Sequence, residues 1–145
     1  MYFCHPLDNK LIMVHYIKKY PVSIAVILLV IYLSFFKPPS LPDTDWEIPH
    51  LDKVVHMGMY FVMSGMLWWE FFRSHKGGLH IRRGWIGAFL CPVLFSGCIE
   101  ILQEYCTSYR GGDWLDFLAN TVGALLATLF FVYIVHPRMQ KKRGD

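Results

Sequence analysis

The chain is poor in charge. Asp, Glu, Lys and Arg make up 17 % of its 145 residues and stand in clusters, too few and too uneven to give a folded domain a water-facing surface on all sides. The formal net charge of +3 is too small to suggest nucleic acid as a partner. Covalent staples are lacking too. Among the four cysteines there is no Cys-x-x-Cys and no Cys/His pair at zinc spacing. Cys91 and Cys98 fall roughly 10 Å apart along one expected helix, too far to bridge, and Cys4 and Cys106 fall on opposite expected sides of a membrane. There is no internal repeat and no low-complexity tract. Nor does a small-residue cleavage site follow the first apolar stretch, where Phe35-Phe36-Lys37-Pro38 stands. That stretch therefore reads as a retained anchor, not a removed signal peptide.

What the chain has is apolar length. Hydrophobic residues make up 54 % and the mean hydropathy is +0.34, the composition of an integral membrane protein. Four stretches read as spans, at about 20–36, 54–72, 84–103 and 116–135, with Pro92 expected to kink the third. The expected fold is all-α, a polytopic bundle of four transmembrane helices over residues 20–135. It is flanked by an N-terminal cytoplasmic segment at 1–19 and a basic cytoplasmic tail at 136–145. In the N-terminal segment, Leu11-Ile12-Met13-Val14 among Lys10, Lys18 and Lys19 suggests a short amphipathic helix on the inner surface. Residues 37–53, with their prolines and acids, read as an irregular outer loop. Eleven of the fourteen Lys and Arg residues lie in the N-terminal segment, the 73–83 loop and the tail. By the positive-inside rule both termini are cytoplasmic.

Polar residues gather at one end of three spans. Asp52, Lys53, His56 and Tyr60 share a face of the second, Ser96, Glu100, Gln103 and Glu104 a face of the third, and Asp116 and Asn120 stand one turn apart on the fourth. Ionisable groups persist in hydrocarbon when they face one another or carry a function. Three segments that agree on depth predict one polar site. Each residue also has a plain structural reading. Asp52 suits a helix N-terminus, Lys53 an interfacial anchor, Asp116 a cap, and Arg110 a counter-ion for Glu100. Glu104 and Asp113 read as solvated loop charges, and Glu70 as snorkelling or paired with Arg73. Gly58 and Gly65, and Gly123 with Ala124 and Ala127, read as close-packing positions.

These pieces in order resemble the VanZ-like family of membrane proteins. The resemblance rests on Asp52-Lys53-x-x-His56 with Tyr60, on Glu100-x-x-Gln103, and on Arg110, Asp116, Asn120 and Gly123 in the spacing R-x5-D-x3-N-x2-G, over about residues 20–135. Gly111-Gly112 after Arg110 is a local variant of that pattern. The founding member of the family is associated with teicoplanin resistance. The resemblance thus implies a multi-pass protein of the bacterial cytoplasmic membrane that acts on the cell envelope, with no reaction attached.

Three classes of function are compatible with the residues. In the first, the site opens to the outer side and binds or modifies an envelope component: a lipid-linked precursor, a lipid headgroup or a glycopeptide antibiotic. His56 and Glu100 would then be the catalytic pair, with Asp52, Lys53, Tyr60, Gln103, Arg110, Asp116 and Asn120 lining the binding site. No metal site follows from spacing, but a divalent cation bridging carboxylates to a phosphate would suit the charge balance, as would an amine-bearing ligand. In the second class the polar groups form a structural interhelical network and no chemistry takes place. The third is a small transporter or flippase, opposed by the site's place at one face instead of the midplane.

Overall fold

The computed structural model describes residues 6–36, 51–75, 80–106 and 112–144. Cys4, the loop at 37–50 and Arg110 lie outside them. All regular structure among the described residues is helical. Helix α1 (Pro6–Lys19) meets α2 (Pro21–Phe35) at an elbow, with Ile12–Lys19 and Pro21–Phe35 bent by 89°. Helix α3 (Leu51–Ser74) runs for 24 residues. Helix α4 (Ile81–Gly84), a π turn (Trp85–Leu90) and α5 (Cys91–Cys106) follow without a break as one rod. Helix α6 (Trp114–Phe130) continues through a second π turn (Phe131–Val135) into α7 (His136–Gly144).

Two rods, Ile81–Cys106 and Trp114–Lys141, are long and apolar enough to cross a membrane, and the bent pair is a third if counted as one span. α3 is not among them, because Asp52, Lys53, His56, Glu70 and Arg73 lower its hydropathy. Helix α6 is its main packing partner and takes up part of its polar face. Ser64 Oγ lies 3.2 Å from Ala124 O, and Trp68 Nε1 donates to Thr128 Oγ1 at 3.0 Å. Between these bonds and the outer turns the two helices touch backbone to backbone. A Cβ on Gly123 would overlap Met57 O and sit 2.9 Å from Met57 C, so only glycine fits there. Gly58, by contrast, faces open space.

A π turn, Trp85–Leu90, lies just before Pro92 in the third expected span. Proline offers no N–H to the Ala88 carbonyl one turn earlier. That carbonyl accepts the Ser64 hydroxyl, which joins α3 to the π turn. Trp68, Phe71, Phe72 and Ala88 form one buried cluster beside this bond, and Val30, Tyr60 and Met63 form another against α2.

Glu70 corrects the sequence reading. It neither snorkels nor pairs with Arg73 but is buried against the start of α2. Val22 N and Ser23 N each donate to its carboxylate at 3.0 Å, and Ser23 Oγ donates at 2.6 Å. Tyr20 at the N-cap supplies no side-chain cap, so a carboxylate from another helix satisfies the orphan donors of the first turn. Among the described residues Cys91, Cys98 and Cys106 are free thiols.

Candidate functional site

The beginning of α3, the end of α5 and the beginning of α6 meet at one end of the bundle. His56, Glu100 and Asp116, one from each, are all buried, and each offers a donor atom within 4.8 Å of the others. His56 Nε2 lies 3.6 Å from Asp116 Oδ2. One turn deeper, at i±4 on the same three helices, stand Tyr60, Ser96 and Asn120, exposed by no more than 1 %. Asn120 Nδ2 donates to Ser96 Oγ at 2.8 Å. Tyr60 Oη and Asn120 Oδ1 have no hydrogen-bond partner among the described residues.

The outer tier is ionic. Lys53 Nζ donates to Asp116 Oδ1 at 2.6 Å, to Asp52 Oδ2 at 3.1 Å and to Asp113 Oδ2. Asp113 is the N-cap of α6 and accepts from Leu115 N at 2.8 Å. Its backbone N–H donates to Glu100 Oε2 at 3.1 Å, and Gly112 N donates to Glu104 Oε2 at 2.9 Å. A Cβ on Gly112 would lie 2.6 Å from Glu100 O, so the chain entering α6 can lie against α5 only because this residue is glycine. The Lys53 hydrogen bond, reinforced by the Leu115 N–H, holds the Asp113 carboxyl below its ordinary range.

Of the residues singled out by sequence, Lys53, His56, Glu100 and Asp116 are brought together, with Tyr60 and Asn120 beneath them and Asp52 at the exposed rim. Gln103 is buried but turns toward α2, where Nε2 donates to Ser34 O at 2.8 Å. Arg110 lies outside the described residues. Asp113 was read as a solvated loop charge, and the structure makes it both a cap and a partner of Lys53. Its place directly before the apolar run from Trp114 was the available signal. The capping role read for Asp116 thus falls to Asp113. The closeness of His56, Glu100 and Asp116 had no local signal, since each comes from a different helix. One imidazole and two carboxylates form a donor set that suits a divalent cation.

Fold and site together define a class: an all-helical membrane protein with a buried polar cluster at one end of its bundle. The family is settled by comparison. The VanZ/LLP1 family model matches residues 5–136, nearly the whole chain, and the protein belongs to that family. It is 31 % identical over 129 residues to the "Uncharacterized protein C11E3.10" of Schizosaccharomyces pombe, a match covering 88 % of this chain and 72 % of the relative. No solved structure matches.

Proposed function

We propose that this chain is a four-span membrane protein whose polar cluster opens at the outer face and binds or modifies the headgroup of an envelope lipid. The observation that carries the reading is the meeting of His56, Glu100 and Asp116, buried and from three helices, within 4.8 Å. Cohesion alone is a thin reason for such a cluster, since interhelical polar contacts in lipid are worth only about 1 kcal/mol each. The Gly123–Met57 contact and the Trp68–Thr128 bond already join α3 to α6.

α3 supplies the fourth span in this reading. Its 24 residues extend for about 36 Å, enough for a hydrocarbon core of about 30 Å. Val54, Val55, Phe61, Val62 and Trp69 on it are exposed and would face lipid, while its polar face is turned inward. The charge count by the positive-inside rule supports cytoplasmic termini.

Lys53 faces Asp52, Asp113 and Asp116, with Glu100 behind them, so among the described residues the site is acidic. An acidic site favours an amine-bearing headgroup, or a phosphate brought in through a divalent cation on His56, Glu100 and Asp116. Imidazole is the side chain suited to moving a proton near neutral pH, so His56 is the candidate acid or base and Glu100 its orienting partner. Because a relative occurs in a fission yeast, we favour a headgroup common to bacterial and fungal membranes. Glycopeptide resistance in a bacterial cytoplasmic membrane is the narrower form of the same proposal.

The test is mass spectrometry of lipids retained by the purified protein, with and without Mg2+ or Mn2+. Glu100→Gln is expected to accumulate normally and to lose a headgroup species held by the wild type. A lipid complement unchanged by this substitution would count against the site. A second reading, a purely structural network, draws on the closure of Lys53 with three carboxylates. It predicts instead that Glu100→Gln fails to accumulate in the membrane.

A further inference from the structure

We propose that the elbow between α1 and α2 holds the phosphate headgroup of an anionic membrane lipid, at the end of the bundle opposite the acidic cluster. A cavity of about 530 Å³ lies there, a volume usual for small-ligand sites, lined by Tyr16, Lys19, Tyr20, His75, Arg83 and Gly87 among others. Lys19 and Arg83 bring positive charge to it. Neither has a carboxylate at ion-pair distance among the described residues. Glu70, the acid on this half of α3, is taken up by the first turn of α2.

His75 completes the arrangement without opposing it. Its Nδ1 lies 2.9 Å from Phe71 O, a contact that places the ring proton on that nitrogen. Nε2 then faces Lys19 Nζ at 3.5 Å as an acceptor, orienting the ammonium group without adding negative charge.

Two further observations choose a lipid over a free anion. First, the spacing along α3 would put the pocket at a membrane boundary. Ser74, which precedes His75, and His56 are eighteen residues apart on α3, about 27 Å by helical rise and close to the thickness of a hydrocarbon core. At this boundary the Ile12–Lys19 part of α1 turns 89° away from α2 and exposes Ile12, Met13 and Ile17, as a helix lying in the interface does. Second, an apolar cavity of about 270 Å³ adjoins the pocket. The two share Leu67 and Gly87, and the second is walled by Ile27, Met63, Pro92 and Phe95. Cations at the mouth and an apolar groove behind them match a phosphate head and its acyl chain.

The full-length protein is placed in nanodiscs of phosphatidylcholine with a fraction of phosphatidylglycerol, and the lipids it retains are weighed by native mass spectrometry. The wild type is expected to retain the anionic lipid over the zwitterionic one by about tenfold. The double variant Lys19→Gln/Arg83→Gln should bring that preference to near unity. Gly87→Leu, placed where a Cβ meets nothing within 4 Å, should fill the cavity and lower retention of both lipids. Equal retention by the wild type, an unchanged preference in the double variant, or displacement of the lipid by inorganic phosphate would each overturn the proposal. If the double variant does not fold, wild-type preference and Gly87→Leu decide it. His56 and Glu100 take no part in the pocket, so Glu100→Gln is expected to keep the preference.

Discussion

At its first turns α3 carries Asp52, Lys53 and His56, and at its last turns Glu70 and Arg73, with His75 directly after it. The residue types are nearly the same, but the two ends are put to different use. At the first end a lysine is surrounded by carboxylates from its own helix and from the start of α6, and the imidazole behind it faces one of them. At the second end the carboxylate faces the backbone N–H groups of α2, while the nearby cations border an open cavity. The comparison shows what decides the role of a buried acid in a bundle of this kind. Where a helix begins beside it without a cap of its own, the acid completes that helix. Where the neighbouring helix brings its own cap, as Asp113 does for α6, the buried Asp116 is left to meet the side chains of Lys53 and His56.

The sharpest way to break the comparison is to push α3 off α6 near the acidic end. Gly123→Val places atoms into the Met57 backbone and should lower stability by about 3 kcal/mol, read as thermal unfolding in detergent. The basic end should keep its lipid preference in whatever fraction still folds. Next comes Lys53→Met, which removes the cation shared by Asp113 and Asp116. Breaking a fully buried pair costs about 3–5 kcal/mol; because Lys53 keeps 20 % of its side-chain exposure, about 2–3 kcal/mol is expected.

Glu70→Gln sharpens the other side of the comparison. An amide can accept from one N–H but cannot balance the charge of the helix start, and a loss of about 1–2 kcal/mol is expected in the same assay. The smallest effect concerns pH. The folded-state pKa of Asp113 lies below its ordinary value, so its contact with Lys53 stabilises the protein at neutral pH. That contribution is lost as the pH falls through the depressed value, on the acid side of the ordinary carboxylate range. Asp113→Asn should flatten this acid limb of melting temperature against pH and leave the neutral region only slightly changed.

The helical layout was legible in the chain, because apolar runs of span length bounded by charge leave little else. The helix ends extended beyond the expected spans where polar residues continue the helix, as at Leu51–Lys53 and beyond Val135. Depth was legible in the chain: the sequence places His56, Glu100 and Asn120 each about a turn inside a helix end, which periodicity alone can reveal. The site was not legible as contact. Which carboxylate Lys53 would meet depends on how α6 enters the bundle, and Gly112 and Asp113 set that entry. Glu70 was misread for a related reason. Its partners are backbone groups of α2, and a chain that gives no side-chain cap at Tyr20 does not announce which distant carboxylate will serve.

The most direct measurement is cross-linking of paired cysteines in membranes, in a chain otherwise free of cysteine. His56→Cys with Glu100→Cys, and His56→Cys with Asp116→Cys, are each treated with a short bis-thiosulfonate, beside the control pair His75→Cys with Asp116→Cys. The account predicts rapid linkage of the first two pairs and none of the control. Failure of the first two, or linkage of the control at a similar rate, would contradict the meeting of these three helices at one end.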